Sequence, residues 1–209
     1  MRVFILRLLC WILPTFFTLF CVPAFGQTQT VMFLNKHGEK IKGTDSAAYI
    51  RTLTREEKRD TLYQLKEQYM TGEIYRIGTA FFNRGKLTLT GLITSYQKNG
   101  KKMCEEQYKQ GVLNDTSRYY YKNGNIRSEV FASGGAENLQ DIHKLPPRLM
   151  TYYDSVGNQL VKEGNGHIKT SNCCGDSSEG DYKDGYQEGL WQGTFFSGKY
   201  RYVESYSHG

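Results

Sequence analysis

The sequence predicts a mainly β protein: an elongated antiparallel sheet of stacked β-hairpin repeats, preceded by an N-terminal signal helix. Three observations carry that prediction. A short phrase recurs, an aromatic residue, two or three residues, then glycine, as in Tyr69-Met-Thr-Gly72, Tyr96-Gln-Lys-Asn-Gly100, Tyr108-Lys-Gln-Gly111, Tyr120-Tyr-Lys-Asn-Gly124 and Tyr182-Lys-Asp-Gly185. The glycines keep a period, with 24 residues from Gly100 to Gly124, 23 from Gly111 to Gly134 and 24 from Gly185 to Gly209. A fixed period in the twenties marks a stack of like supersecondary units. The composition agrees: 16 tyrosines and 22 glycines favour strands and turns over helices.

The first 26 residues stand apart. Arg2 and Arg7 form a small positive region, an apolar run from Leu8 to Phe20 is broken only by Pro14, and Pro23-Ala24-Phe25-Gly26 supplies small residues before Gln27. That is the pattern of a secretory signal peptide, 1–26, so the protein is expected to be exported, periplasmic or associated with the outer membrane. The competing reading is an uncleaved anchor, but the apolar stretch from Leu8 to Phe25, 18 residues, is just short of the roughly 20 needed to span a bilayer. Removal leaves 209 − 26 = 183 residues and lowers the net charge from +6 to +4, since two arginines and no acids depart. Such a mild excess of base with interspersed acids excludes a nucleic-acid surface as the organising feature.

Residues 27–60 form a lead-in. Phe33-Leu-Asn-Lys-His-Gly38 reads as a degenerate first repeat, and Thr54-Arg-Glu-Glu57 has the spacing of a capping box that opens a short helix. Residues 61–135 then alternate strand and turn. Asn99-Gly100 and Asn123-Gly124 each separate two β-prone runs, the strongest short-range hairpin signal. Placed at the centre of type I′ turns, these pairs set Tyr96 opposite Met103 and Tyr121 opposite Ile126, with a one-residue bulge to absorb uneven spacing. Residues 136–150 carry Pro146-Pro147 and read as a surface loop, because proline cannot sit in a central strand. A second block, 151–209, resumes the rhythm and stops at a turn position, as a truncated repeat would.

These phrases resemble the bacterial variant of the MORN repeat, which reads Tyr-x-x-Asn-Gly, a strand, Tyr-x-x-Gly and a second strand. Residues 96–111 and 120–134 match it closely, and Gly185-Tyr-Gln-Glu-Gly-Leu-Trp191 resembles its Gly-x-Trp stretch. The resemblance covers roughly residues 62–209, with gaps at 136–150 and 167–180. It implies an elongated sheet of hairpins, no catalytic residues and no cofactor, and it is similar to exported or envelope-associated proteins, some labelled antitoxin-like. Related arrays precede the C-terminal domain of TonB-type transducers, which this sequence lacks.

No Ser-His-Asp order, nucleophile elbow or phosphate-binding loop is present, so no catalytic, cofactor-binding or metal residue is assigned. His167, Cys173, Cys174 and Asp176 lie within ten residues, yet the spacing matches no standard zinc arrangement and adjacent cysteines rarely share one ion. Cys104, Cys173 and Cys174 are an odd set in an exported chain, so one thiol is left over after any disulfide. Glu105 and Glu106 must point to opposite faces of a strand and cannot work as an acid–base pair. His37, His143 and His208 stand alone, and the sequon at Asn114 matters only in a eukaryotic secretory pathway. Tyr121, opposite Ile126, reads as core; of Tyr119-Tyr120-Tyr121 at least one ring must leave that face, and Tyr120 beside Lys122 and Arg127 would suit contact with a protein or glycan. The expectation is a non-enzymatic, exported interaction scaffold at the cell envelope. It would meet a protein partner there or pair with itself through its sheet edges; the alternative is a spacer or accessory module of a TonB-type transport system.

Overall fold

The computed structural model describes residues 28–55, 61–134, 146–171, 175–195 and 197–209. The signal segment 1–26 lies outside them, as do 56–60, most of the 136–150 loop, and Cys173 and Cys174. The described residues form strands and turns with no helix. The strands are β1 (Thr28–Leu34), β2 (Lys40–Ile41), β3 (Tyr49–Arg55), β4 (Leu62–Tyr69), β5 (Ile74–Asn83), β6 (Lys86–Tyr96), β7 (Lys102–Lys109) and β8 (Val112–Tyr120). They continue with β9 (Ile126–Ser133), β10 (Arg148–Tyr153), β11 (Gln159–Lys162), β12 (Asn165–Ser171), β13 (Ser177–Lys183), β14 (Tyr186–Phe195) and β15 (Tyr200–Tyr206). All 15 belong to one open antiparallel sheet in which each strand neighbours the next in sequence, except that β1 sits between β2 and β3.

Two turn types alternate along the chain and so occupy opposite edges of the sheet. At one edge Gly100 donates its N–H to Gln97 O and Gln97 donates to Lys101 O, with the repeat Gly124 to Tyr121 and Tyr121 to Asn125. Gly100 and Gly124 have φ of +78° and +92°, while Asn99 and Asn123 are not left-handed. These are type I turns closed by a glycine bulge, not the type I′ turns expected. Each asparagine instead uses its side chain: Asn99 Oδ1 accepts from Lys101 N–H, and Asn123 Oδ1 from Asn125 N–H. The longer loop moves the register by one, so Tyr96 faces Lys102 and Tyr120, rather than Tyr121, faces Ile126. Type I′ turns occur at the other edge, where Arg84-Gly85, Gln110-Gly111, Glu163-Gly164 and Asp184-Gly185 all have positive φ.

Two bulges recur. Near the first edge one extra residue enters the later strand of the pair, Tyr75, Met103, Arg127 or Leu160. In mid-strand the insertion is two residues. Between Ile77 and Thr79 a single residue, Gly78, faces three on β6, and between Glu179 and Asp181 a single residue, Gly180, faces three on β14. Two extra residues leave every following side chain on its original face, whereas one would invert them. Gly91, Asp115 and Gly189 take φ of 69–70° there, and two residues later Ile93, Ser117 and Trp191 are buried on the same face. The Gly-x-Trp stretch is therefore a bulge that seats a core side chain.

That face holds two apolar clusters. Leu53, Leu65 and Ala80 pack with Met32, Tyr63, Leu87 and Leu89, and Val161, Ile168 and Trp191 pack with Leu149, Tyr152, Tyr182 and Tyr206. Between them lie small buried side chains, Ser95, Cys104, Ser117 and Ser128, with Tyr108 and Tyr119 half-buried beside them.

Several expectations are corrected. The lead-in holds three paired strands; Thr54 and Arg55 complete β3 against Gln29 and Thr28, and the rest of the helix expected from Thr54 lies in 56–60, outside the described residues. β10 begins at Arg148, inside the segment read as loop, and pairs with β9, so the sheet runs through the interruption. The gap at 167–180 likewise contains most of β12 and the start of β13.

Candidate interaction face

Period-two alternation separates the consecutive carboxylates. Glu105 points to the solvated face, where it accepts from Lys102 Nζ at 2.5 Å and Tyr120 Oη at 2.5 Å. Glu106 points to the core face and accepts from Tyr108 Oη at 3.2 Å and Tyr119 Oη at 3.1 Å. Burial first, and the Glu106 charge second, push the Tyr108 phenol up to about 12 and raise that of Tyr119 as well. On the solvated face the row continues across β8, β9 and β10: Arg118 Nε donates to Glu129 Oε1 at 2.8 Å, and Thr151 Oγ1 to Glu129 Oε2 at 3.4 Å. Each charge on this row is answered by a neighbour, and Leu92, 53% exposed, lies beside it.

The three consecutive tyrosines divide differently from expectation. Tyr120 reaches the solvated face, but it is half-buried and committed to Glu105; burial first, then the hydrogen bond to Glu105 and its charge, lift its phenol to about 12. Arg127 lies over Tyr119, 5.8 Å from the ring centre, rather than beside Tyr120, because it is the inserted residue of a bulge. Tyr121 is half-buried in the turn instead of in the core, and its hydroxyl donates to Tyr153 O at 2.8 Å. That bond belongs to a ladder linking successive turns: Tyr69 Oη donates to Tyr96 O, Gln97 Nε2 to Tyr121 O, and Lys101 Nζ to Asn123 O.

His167 stands on the solvated face of β12. Its Nδ1 is 2.7 Å from Asp181 Oδ1 and its Nε2 is 3.4 Å from Glu179 Oε1, while Lys169 Nζ reaches Glu179 at 2.9 Å. The hydrogen bond to Asp181, followed by that to Glu179, holds the imidazolium above its ordinary pKa. Cys173 and Cys174 fall outside the described residues, and Asp176 accepts from Ser197 N–H at 2.8 Å. Among the described residues no group of three or more His, Cys, Asp or Glu side chains is arranged to hold a metal. Cys104 is a buried free thiol whose pKa is raised chiefly by burial. His37 lies in the β1–β2 turn, His208 N–H donates to Glu188 Oε2, and His143 is outside the described residues.

Sequence reasoning missed a buried ionic group. Glu67, 1% exposed, accepts from Arg51 at 2.6–2.7 Å and lies 3.5 Å from Arg76. Arg76 also lies over Tyr75, which stacks on Tyr49 with ring centres 4.3 Å apart. Only the β3–β4–β5 register, which sets Arg51 against Glu67 and Glu67 against Arg76, could have disclosed it. At the type I′ edge, an open depression of about 560 Å³ is lined by Arg84, Lys86, Leu87, Leu89 and Gln110 among others.

No protein family, no curated protein and no solved structure matches the chain.

Proposed function

We propose that the protein is a non-enzymatic, exported scaffold that presents an extended β-surface to another macromolecule at the cell envelope. The observation that carries the reading is the single continuous sheet: every strand is ordered by its neighbour, so side chains on the solvated face recur at fixed spacing over fifteen strands. At about 4.8 Å per strand, the path along the hydrogen-bonding direction is roughly 70 Å. The signal-like segment 1–26 supports export, and the resemblance to variant MORN repeats supports a binding role over a catalytic one. The same length suits the alternative, a spacer or accessory module of a TonB-type system.

Photocrosslinking in intact cells tests it, with the photoreactive group at Leu92, which is exposed, instead of at the half-buried Tyr120. One dominant envelope adduct supports the scaffold and names its partner. Absence of any specific adduct from Leu92 and from a second exposed position on the same face, Lys66, refutes it and favours the spacer.

A further inference from the structure

The two ends of the sheet are not alike. At the β2 end the outermost strand has two residues and pairs only with Phe33 and Leu34 of β1. Short edge strands and covering loops are devices that stop a sheet from pairing with another chain. Among the described residues the β15 end has no such device. β15 has seven residues, and its register with β14 is unbroken from Gly189–Tyr206 to Phe195–Tyr200. It is straight enough in register to accept a further strand along its whole length. The surroundings are apolar and exposed: Leu190 at 71%, Val203 at 68%, Phe195 at 49% and Tyr200 at 48%.

We propose that β15 is a self-association edge, where a second copy of this chain adds its own β15 antiparallel across a two-fold axis through Val203. The strand's sequence, Tyr200-Arg-Tyr-Val-Glu-Ser-Tyr206, selects that occupant and that register. A two-fold perpendicular to the sheet keeps the core faces of both copies on one side, so paired residues must sum to an even number. Summing to 406 pairs all seven residues: Tyr200 with Tyr206, Arg201 with Ser205, Tyr202 with Glu204, and Val203 with itself. Tyrosine meets tyrosine and a phenol meets a carboxylate, as Tyr206 Oη already meets Glu204 within one chain at 2.5 Å. Sums of 402 and 408 oppose Arg201 to Arg201 and Glu204 to Glu204, and like charges directly opposite are destabilising. A sum of 404 leaves Tyr206 unpaired. An isologous contact closes after two copies.

The edge is separate from the face tested at Leu92, so either proposal can fail alone. The test is analytical ultracentrifugation of chains beginning at Gln27, under reducing conditions so that Cys173 and Cys174 cannot link molecules. Wild type is expected to be a dimer. Val203→Lys and Val203→Glu, each placing like charges on the axis, are expected to weaken self-association at least about tenfold. An equimolar mixture of the two should restore a heterodimer by pairing Lys with Glu. Far-ultraviolet circular dichroism spectra matching wild type establish that both variants are folded. A monomeric wild type, a dimer that survives both substitutions, a mixture that stays monomeric, or open-ended oligomers would each overturn the assignment.

Discussion

Replacing Gly180 by alanine tests the central packing claim. Gly180 has no left-handed φ, so the glycine is required for space and not for conformation. A Cβ there would fall inside the indole of Trp191, at 2.6 Å even from Cγ. The indole has nowhere to go. It is 2% exposed, its Nε1 donates to Asp181 O at 3.2 Å, and the rings of Tyr182 and Tyr206 meet it edge-on at 5.3 and 6.2 Å. Overpacking of this kind costs about 1–3 kcal/mol, and the ceiling is the about 3–5 kcal/mol of losing the indole outright. In a domain of this size each kcal/mol lowers Tm by about 2–4 °C, so Gly180→Ala should melt several degrees early. The decisive comparison is a cycle with Trp191→Ala. Without the ring the three atoms nearest the new methyl are gone, so Gly180→Ala should become neutral or slightly stabilising, with a coupling of about 2 kcal/mol. Additive losses in urea and thermal unfolding would refute the account of Gly180 as the seat of the indole.

The remaining predictions follow from single contacts. Gly100→Ala meets no atom within 4 Å and suffers only from φ of +78°, so it should cost about 1–2 kcal/mol, with Gly100→Asn milder, read by Tm. Ser117 Oγ is buried without a hydrogen-bond partner, so Ser117→Ala should be stabilising by about 1 kcal/mol in urea unfolding, and a loss of stability would contradict its orphaned state. Glu67→Gln leaves Arg51 and Arg76 with a neutral partner in a buried site and should cost about 3–5 kcal/mol. The His167 imidazole should titrate above its ordinary pKa by NMR and return toward it in Asp181→Asn. Because the folded pKa is raised, the pair's contribution to stability is complete below about pH 6.5 and is lost as pH rises through the folded pKa; exposure keeps that contribution small.

Much of this was legible in the linear chain because its determinants are local. An aromatic and a glycine at fixed spacing specify a turn wherever they occur, and alternation assigns Glu105 and Glu106 to opposite faces without knowledge of any neighbour. The type of turn was less legible. Asn-Gly serves both a type I′ turn and a type I turn with a glycine bulge, and the choice rests on whether asparagine spends its side chain on the loop backbone, as Asn99 does with Lys101. That choice moved Tyr96 from Met103 to Lys102 and Tyr121 out of the core. Thr54, where a capping box was expected, is instead paired on both sides, with Gln29 on β1 and Gln64 on β4.

By itself the sequence determined a repeating antiparallel β architecture, since turn chemistry and side-chain alternation act within a few residues. Only the tertiary structure decided the paired bulges, the meeting of Arg51, Glu67 and Arg76, the row of buried serines between two apolar clusters, and the contrast between a two-residue β2 edge and a seven-residue β15 edge. Those features depend on register, and register is settled when distant strands compete to bury one face together.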